Sequence, residues 1–198
     1  MKKIILPTLL LAGLALLSAC TTPTTMVDLE NDTGPLVQGF DYRDINQAAQ
    51  EAVADILASG AVNKEDGSRY VLYVGRILNK TTQNIDQDMI VRQITRELTN
   101  SRKVVVTRAL DENSVVQQID QLNNDPRFRQ DTGAKPNQLI KPELELKGKI
   151  VERNISINAR KKQTEYYLML ELVDLESGLT FWEGETRIVK RGANTPNW

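Results

Sequence analysis

Apolar residues in DYRDINQAAQEAVADILASG recur at three and four residue steps. Ile45, Ala48, Ala49, Ala52, Val53, Ile56 and Leu57 share one side of a predicted amphipathic helix. Asp41 stands where its carboxylate can accept from free backbone N–H groups at a helix start, and Gly60 where a left-handed stop favours glycine. RYVLYVGRI, Arg69 to Ile77, is too short and too dense in β-branched and aromatic residues for a surface helix, and predicts a central strand. After LNKTTQNID, a second helix is predicted over about Gln87 to Asn100, with Ile90, Ile94 and Leu98 on one face and Asp86 at its start. KVVVT then gives a second strand, Lys103 to Thr107, and Asp111 opens a third helix carrying Val115, Val116, Ile119 and Leu122. From Asn123 to Lys141 turn formers dominate, which predicts a loop holding a short helix around Pro136 to Ile140.

Beyond Lys141 the period changes from helical to alternating. PELELKGKIVERN, TEYYLMLELVD and LTFWEGETRIV predict three antiparallel strands. The first hairpin is expected to have a long basic tip, Asn158 to Gln163, and the second to turn tightly at Ser177-Gly178. Two strand-helix units followed by a meander predict an α/β chain of the α+β kind: one mixed sheet of about five strands with three to four flanking helices. At 198 residues the chain suits one domain rather than two.

The first twenty residues follow a different pattern. Lys2 and Lys3 precede an apolar run, Ile4 to Leu17, broken by Thr8, and Ser18-Ala19 lead to Cys20. This is the layout of a secretory signal, and the run is too short, and interrupted by Pro7, to serve well as a permanent span. Cys20 is the chain's one cysteine, so no intramolecular disulfide can form. Leu17-Ser18-Ala19-Cys20 resembles the lipobox of bacterial lipoproteins, which implies cleavage before Cys20 and acylation of its thiol. Thr21 is not the aspartate associated with retention at the inner membrane, so the outer membrane, facing the periplasm, is the expected site. The expected organisation is a signal peptide over 1–19, a lipidated cysteine and flexible tether over 20–38, and a globular domain over 39–198.

Charge and chemistry narrow the function. A formal net charge of -1 gives no global attraction to nucleic acid. No Gly-rich phosphate turn follows the first strand, which argues against nucleotides. The chain has no histidine, which removes Ser-His and Cys-His nucleophiles and the commonest transition-metal ligand. Glu143 with Glu145, Glu171, and Glu183 with Glu185 could supply carboxylate pairs, but alternation sets them on the solvent side of strands, where charge is ordinary. No catalytic residue, metal ligand, cofactor or small-molecule substrate is therefore expected. Trp182 could stack on sugars, yet beside a tight hairpin it is expected to pack, as are Tyr166, Tyr167 and Phe181. Asn79-Lys80-Thr81 is expected to be a turn. Arg160, Lys161 and Lys162 form the sharpest charge cluster, either a solvated tip or a docking point for an acidic partner surface.

The order of these pieces resembles a known family. The lipobox, the tether, a helix before the first strand, YVGRILNKTTQNID, SRKVVVTRAL and LMLELVDLESGLTFWEGETRIVKRG are similar to the LpoB family of penicillin-binding-protein activator lipoproteins. Ser177, Gly178, Trp182 and Gly184 carry the most specific part of that resemblance. It implies a domain similar to the amino-terminal domain of TolB, on an outer-membrane lipoprotein that binds a bifunctional penicillin-binding protein and stimulates its glycosyltransferase and transpeptidase activities. A longer Pro-rich linker in better-known members sets this short tether apart. The rival expectations are an envelope assembly or secretion lipoprotein of the CsgG-like group, which the signature also resembles, and a peptidoglycan-binding module.

Overall fold

The computed structural model of the chain describes residues 24–28, 31–34, 36–110, 115–127 and 139–194. Two units separate, Met1–Leu36 and Val37–Trp198. The described residues of the first have no helix or strand, and Asn31 Nδ2 donates to Asp28 Oδ2 at 3.0 Å. The signal segment and Cys20 lie outside the described residues.

In the second unit, helix α1 spans Tyr42–Ala58. Its start is a reciprocal cap: the Asp41 side chain accepts from Arg43 N and Asp44 N, while Asp44 Oδ2 accepts from Asp41 N at 2.7 Å. It ends at Ser59, where Gly60 takes φ 78°. Helix α2, Gln87–Ser101, is capped by Asp86, whose carboxylate accepts from Asp88 N at 2.9 Å, and stops at Arg102 in the left-handed region. Helix α3 is Val115–Asn124, and the Asp111 expected to open it lies outside the described residues. Its Ile119 is half-buried and its Leu122 exposed, and none of its described side chains belongs to the buried core. The short helix expected around Pro136 to Ile140 falls mostly outside the described residues, and its last two, Leu139 and Ile140, are exposed and not helical.

The five strands are β1 Val71–Lys80, β2 Val105–Thr107, β3 Leu144–Asn158, β4 Lys161–Asp174 and β5 Thr180–Ala193. They form one mixed sheet in the order β2-β1-β3-β4-β5. β1 runs parallel to both β2 and β3, and β3, β4 and β5 are antiparallel neighbours. The five-stranded mixed sheet with its helices is the α+β domain expected from the change of period. β1 is interior, as expected, but β3 holds the middle of the sheet.

Alternation puts Leu144, Leu146 and Ile150 of β3, and Tyr166, Leu168, Leu170 and Leu172 of β4, on one buried face. α1 and α2 cover that face, α1 over β5 and α2 over β1 and β2. Ala48, Ala49 and Ala52 are small enough to let α1 approach closely, while Ile56, Ile90, Ile94 and Leu98 fill the space between the layers. Burying each such Leu or Ile contributes about 1.5–3 kcal/mol relative to exposure, so this layer is the main source of stability.

The hairpins differ from expectation. Strand pairing continues to Asn158 and resumes at Lys161, so the first turn is only Ala159-Arg160, and the stretch expected to be a loop is largely strand. Pairing across three strands supplies the backbone bonds that an alternating apolar pattern usually signals. The second turn is wider than Ser177-Gly178 alone. Asp174 Oδ1 accepts from Ser177 N and Ser177 Oγ, both at 2.6 Å, and Gly178 takes φ 73° to close the loop.

Candidate partner-binding surface

β1 ends at Lys80, which faces Val151 of β3. Past that point β3, β4 and β5 continue together as a three-stranded arm. Burial falls away along it: Thr164 is fully buried, Ile155 and Gln163 are half-buried, and Ile157 to Lys161 are exposed. The tip is held by its own polar groups. Asn158 Oδ1 accepts from Arg160 N and Lys161 N, each at 2.9 Å, and Asn194 N donates to Arg160 O at 3.0 Å.

This geometry gathers the cluster Arg160, Lys161 and Lys162 at the end of the arm. Strand register adds Arg191, opposite Gln163, whose Oε1 accepts from Arg191 Nε at 2.7 Å. Arg153 lies one row back, 3.9 Å from Glu165. The Glu165 carboxyl is held below its usual range, first by the Tyr167 hydroxyl that donates to it and then by Gln163. Ile157 and Val189, 49% and 52% exposed, put apolar surface among these cations. Arg191 is invisible as part of the cluster in a linear sequence, because only the β4–β5 register brings it there.

The base of the arm is braced from two sides. Lys190 Nζ donates to Gly39 O at 2.8 Å and to Asp44 Oδ2 at 2.5 Å, with Asp41 Oδ2 at 3.6 Å. Burial raises the Asp44 carboxyl above its ordinary value despite the Lys190 contact. Burial acts the same way on Asp41, but the Asp44 N–H, the Lys190 charge and Arg43 outweigh it and leave Asp41 lowered. Phe40 N donates to Gln83 Oε1 at 3.0 Å, Gln83 Nε2 donates to Tyr166 Oη, and that hydroxyl reaches Gln38 O at 3.4 Å. Burial pushes Tyr166 up to about 12, so it stays neutral. Glu152 Oε2 accepts from Thr82 N and Oγ1 at 2.9 and 2.7 Å. The basic tip thus stands on a base fixed to α1 and to the loop after β1.

The carboxylate pairs separate into different surroundings. Glu143 accepts from Lys64 Nζ at 2.5 Å and from Val71 N at 3.0 Å, pinning the start of β1, and Lys64 holds its carboxyl low. Glu145, Glu171, Glu183 and Glu185 line an open trough of about 980 Å³ on the sheet face away from α1 and α2. Cations share that trough, and Lys147 Nζ lies 3.3 Å from Glu171 Oε1. Trp182 packs against the core, and its indole ring lies where a Cβ on Gly184 would overlap it, so this placement of the ring needs glycine at 184. The Tyr166 and Phe40 rings lie 5.2 Å apart with their planes tilted by 53°, Tyr167 faces Arg187, and Phe181, expected to pack, is 42% exposed. Asn79 and Lys80, expected in a turn, are instead the last residues of β1, because both pair with β3; the bend begins at Thr81, whose N donates to Asn79 Oδ1 at 2.9 Å.

The family described as peptidoglycan-synthase activator LpoB matches residues 44–188, from the first turn of α1 to the core end of β5. The LpoB C-terminal domain from Escherichia coli is 17% identical, with a TM-score of 0.43 over 73% of this chain and 98% of that one. The same domain from Salmonella enterica is 15% identical, with a TM-score of 0.42 and the same coverage. The solution structure of E. coli LpoB is 18% identical, with a TM-score of 0.39 over 88% of this chain and 82% of that one. No curated protein sequence matches significantly. With most of its residues inside the family match, this chain belongs to the LpoB family of peptidoglycan-synthase activators.

Proposed function

We propose that this protein is a non-enzymatic, lipid-anchored regulator of the outer membrane that binds a bifunctional penicillin-binding protein and activates it. The family match over residues 44–188 carries this reading. The arm supports it physically: a rigid basic tip with exposed apolar side chains suits an acidic, partly apolar protein surface better than a small ligand. Arg160, Lys161, Lys162 and Arg191 are the contact residues, and Cys20 is the point of lipid attachment. Activation follows if the arm binds the active conformation of the synthase more tightly than the inactive one, since an effector shifts an equilibrium only by its differential affinity.

The test is glycan polymerisation and peptide cross-linking by a purified bifunctional synthase, with and without the full chain. Stimulation of either activity is expected. The triple variant Arg160→Ser, Lys161→Ser, Lys162→Ser should bind the synthase about tenfold or more weakly and with a flatter dependence on salt. No stimulation by the parent chain sinks the functional reading, and unchanged binding of the variant at low salt sinks the assignment of the tip.

A further inference from the structure

The tether joins the domain beside the tip of the arm. The Gln38 side chain rests on Gly192, where a Cβ would meet its amide oxygen at 2.9 Å, and the Tyr166 hydroxyl donates to Gln38 O at 3.4 Å. Gly192 pairs with Lys162, so Gln38 sits only about 7 Å along the strands from the Arg160 turn. Whatever holds the tether is thereby brought to this end of the sheet. The other end, where Leu175 N donates to Glu143 O, lies about 46 Å away along β3.

Charge and exposure single out the same end. Past the Lys80–Val151 pair the arm carries Arg153, Arg160, Lys161, Lys162 and Arg191, while Lys190 is engaged by Asp44. The carboxylates of the arm are both engaged, Glu152 by Thr82 and Asn154, and Glu165 by Tyr167 and Gln163. Alternation from the buried Tyr166 and Ile188 sets Arg153, Ile155, Val189 and Arg191 together on the face away from the helices, with Ile157 exposed nearer the tip. Cations interleaved with exposed aliphatic side chains match a surface of anionic oxygens laid over hydrocarbon. We propose that the arm docks on the membrane that holds the tether, its cations on the phosphates of anionic phospholipid headgroups and Ile157 at the acyl boundary. As a relaxed coil, residues 21 to 38 span about 25 Å, more than separates Gln38 from the tip, so an anchored chain reaches the leaflet without being drawn out. Anchoring also raises the local concentration of lipid, so a weak contact is enough to occupy the arm. That advantage rests on anchoring at Cys20, whereas the affinity of the arm for lipid does not. The tip cannot hold a lipid surface and a synthase at once, so the membrane keeps the arm between encounters with the synthase.

Lysine acetylation of the purified full chain, read by mass spectrometry in the presence of vesicles, tests this on the parent protein. The vesicles are phosphatidylcholine alone or with about 30% phosphatidylglycerol, at about 5 mM lipid, where a few basic residues bind without an anchor. A lipid on Cys20 acts equally on both, so the difference between them reads the arm alone, and its absence leaves the anchor and the synthase reading standing. At about 50 mM salt, Lys161 and Lys162 should react about fivefold or more slowly on the anionic vesicles than on the neutral ones, and about 0.5 M salt should remove the difference. Lys103, exposed near the far end of the sheet, where β2 begins beside Val71, should react alike on both. The variant Arg153→Ser, Ile157→Asp keeps the four cations assigned to the synthase and should lose about threefold or more of the protection. Equal reactivity of Lys161 and Lys162 on the two vesicles overturns the proposal, and is the result expected if Asp28, Glu30 and Asp32 of the tether hold the tip instead. Equal protection of Lys103, or a variant protected like the parent, overturns it too.

Discussion

Lys190 is the residue on which the arm and the helix layer meet, and its side chain is only 9% exposed. A buried charge is tolerated when its partners are close and well aimed, and removing one member leaves the others unpaired in a poor solvent. Lys190→Met keeps most of the volume and deletes the charge, leaving the carboxylates of Asp44 and Asp41 to face each other. At pH 7 the variant is expected to lose about 3 kcal/mol of stability. The loss should shrink on acidification. Asp44 is raised in the folded state above its ordinary value of 3.8, so its protonated form favours folding, and that contribution is full below 3.8 and fades as pH rises through the folded value. Losing Lys190 raises Asp44 further and moves this window toward neutrality. Asp41, held low, works in the opposite sense: it supports the fold above 3.8 and ceases to do so as pH falls through its folded value. Urea midpoints at pH 7 and pH 5 should therefore lie closer to the parent at pH 5. An equal or larger gap at pH 5 would mean that Asp44 is not the group left stranded.

At the scale of elements, what the sequence revealed depended on whether an element has a dry side. α1 was legible to the residue at both ends, Asp41 and Gly60, because a helix on a core must alternate at helical spacing and its free backbone groups must be capped. The strands β3 and β4 were legible only where they cross the core. Beyond Thr164 toward the tip, Gln163, Lys162 and Lys161 of β4 are all polar, so no alternation marks that strand, while β3 keeps it through Ile155 and Ile157 and the backbone pairing continues. That is why Lys161 and Lys162 were expected in a loop. Arg191 was missed for a related reason, since its place beside the tip follows from register rather than spacing. The same physics makes the arm separable from the fold. Replacing residues 155–163 with Asn-Gly closes the hairpin on the Asn154–Thr164 pair, whose side chains bond at 2.8 Å, and removes little buried apolar surface. Unfolding free energy is expected to change by less than about 1 kcal/mol, while stimulation of the synthase is lost. A shortened chain that still activates would move the contact surface off the arm.

For the whole molecule, the range of action is set by how the domain is held. Residues 21 to 38 contain Pro23, Gly34 and Pro35 and no regular period, so they can span roughly 60 Å when fully drawn out, and about 25 Å as a relaxed coil. If Cys20 carries the lipid, the domain samples a shell of that depth beneath the membrane, and the tether converts encounter with a synthase into an event at raised local concentration. Anchoring then contributes nothing to the contact itself and much to its frequency. Cys20→Ser separates the two: the purified variant should stimulate a synthase in solution as well as the parent does, but in cells it should move from the membrane to the soluble fraction and support wall synthesis poorly. Lengthening the tether with Gly-Ser residues after Val27 should leave solution activity unchanged and, if reach limits the parent, improve its action in cells. A Cys20→Ser chain that remains in the membrane fraction would place the anchor elsewhere, and one that works fully in cells would show that proximity to the membrane is not what makes this small domain effective.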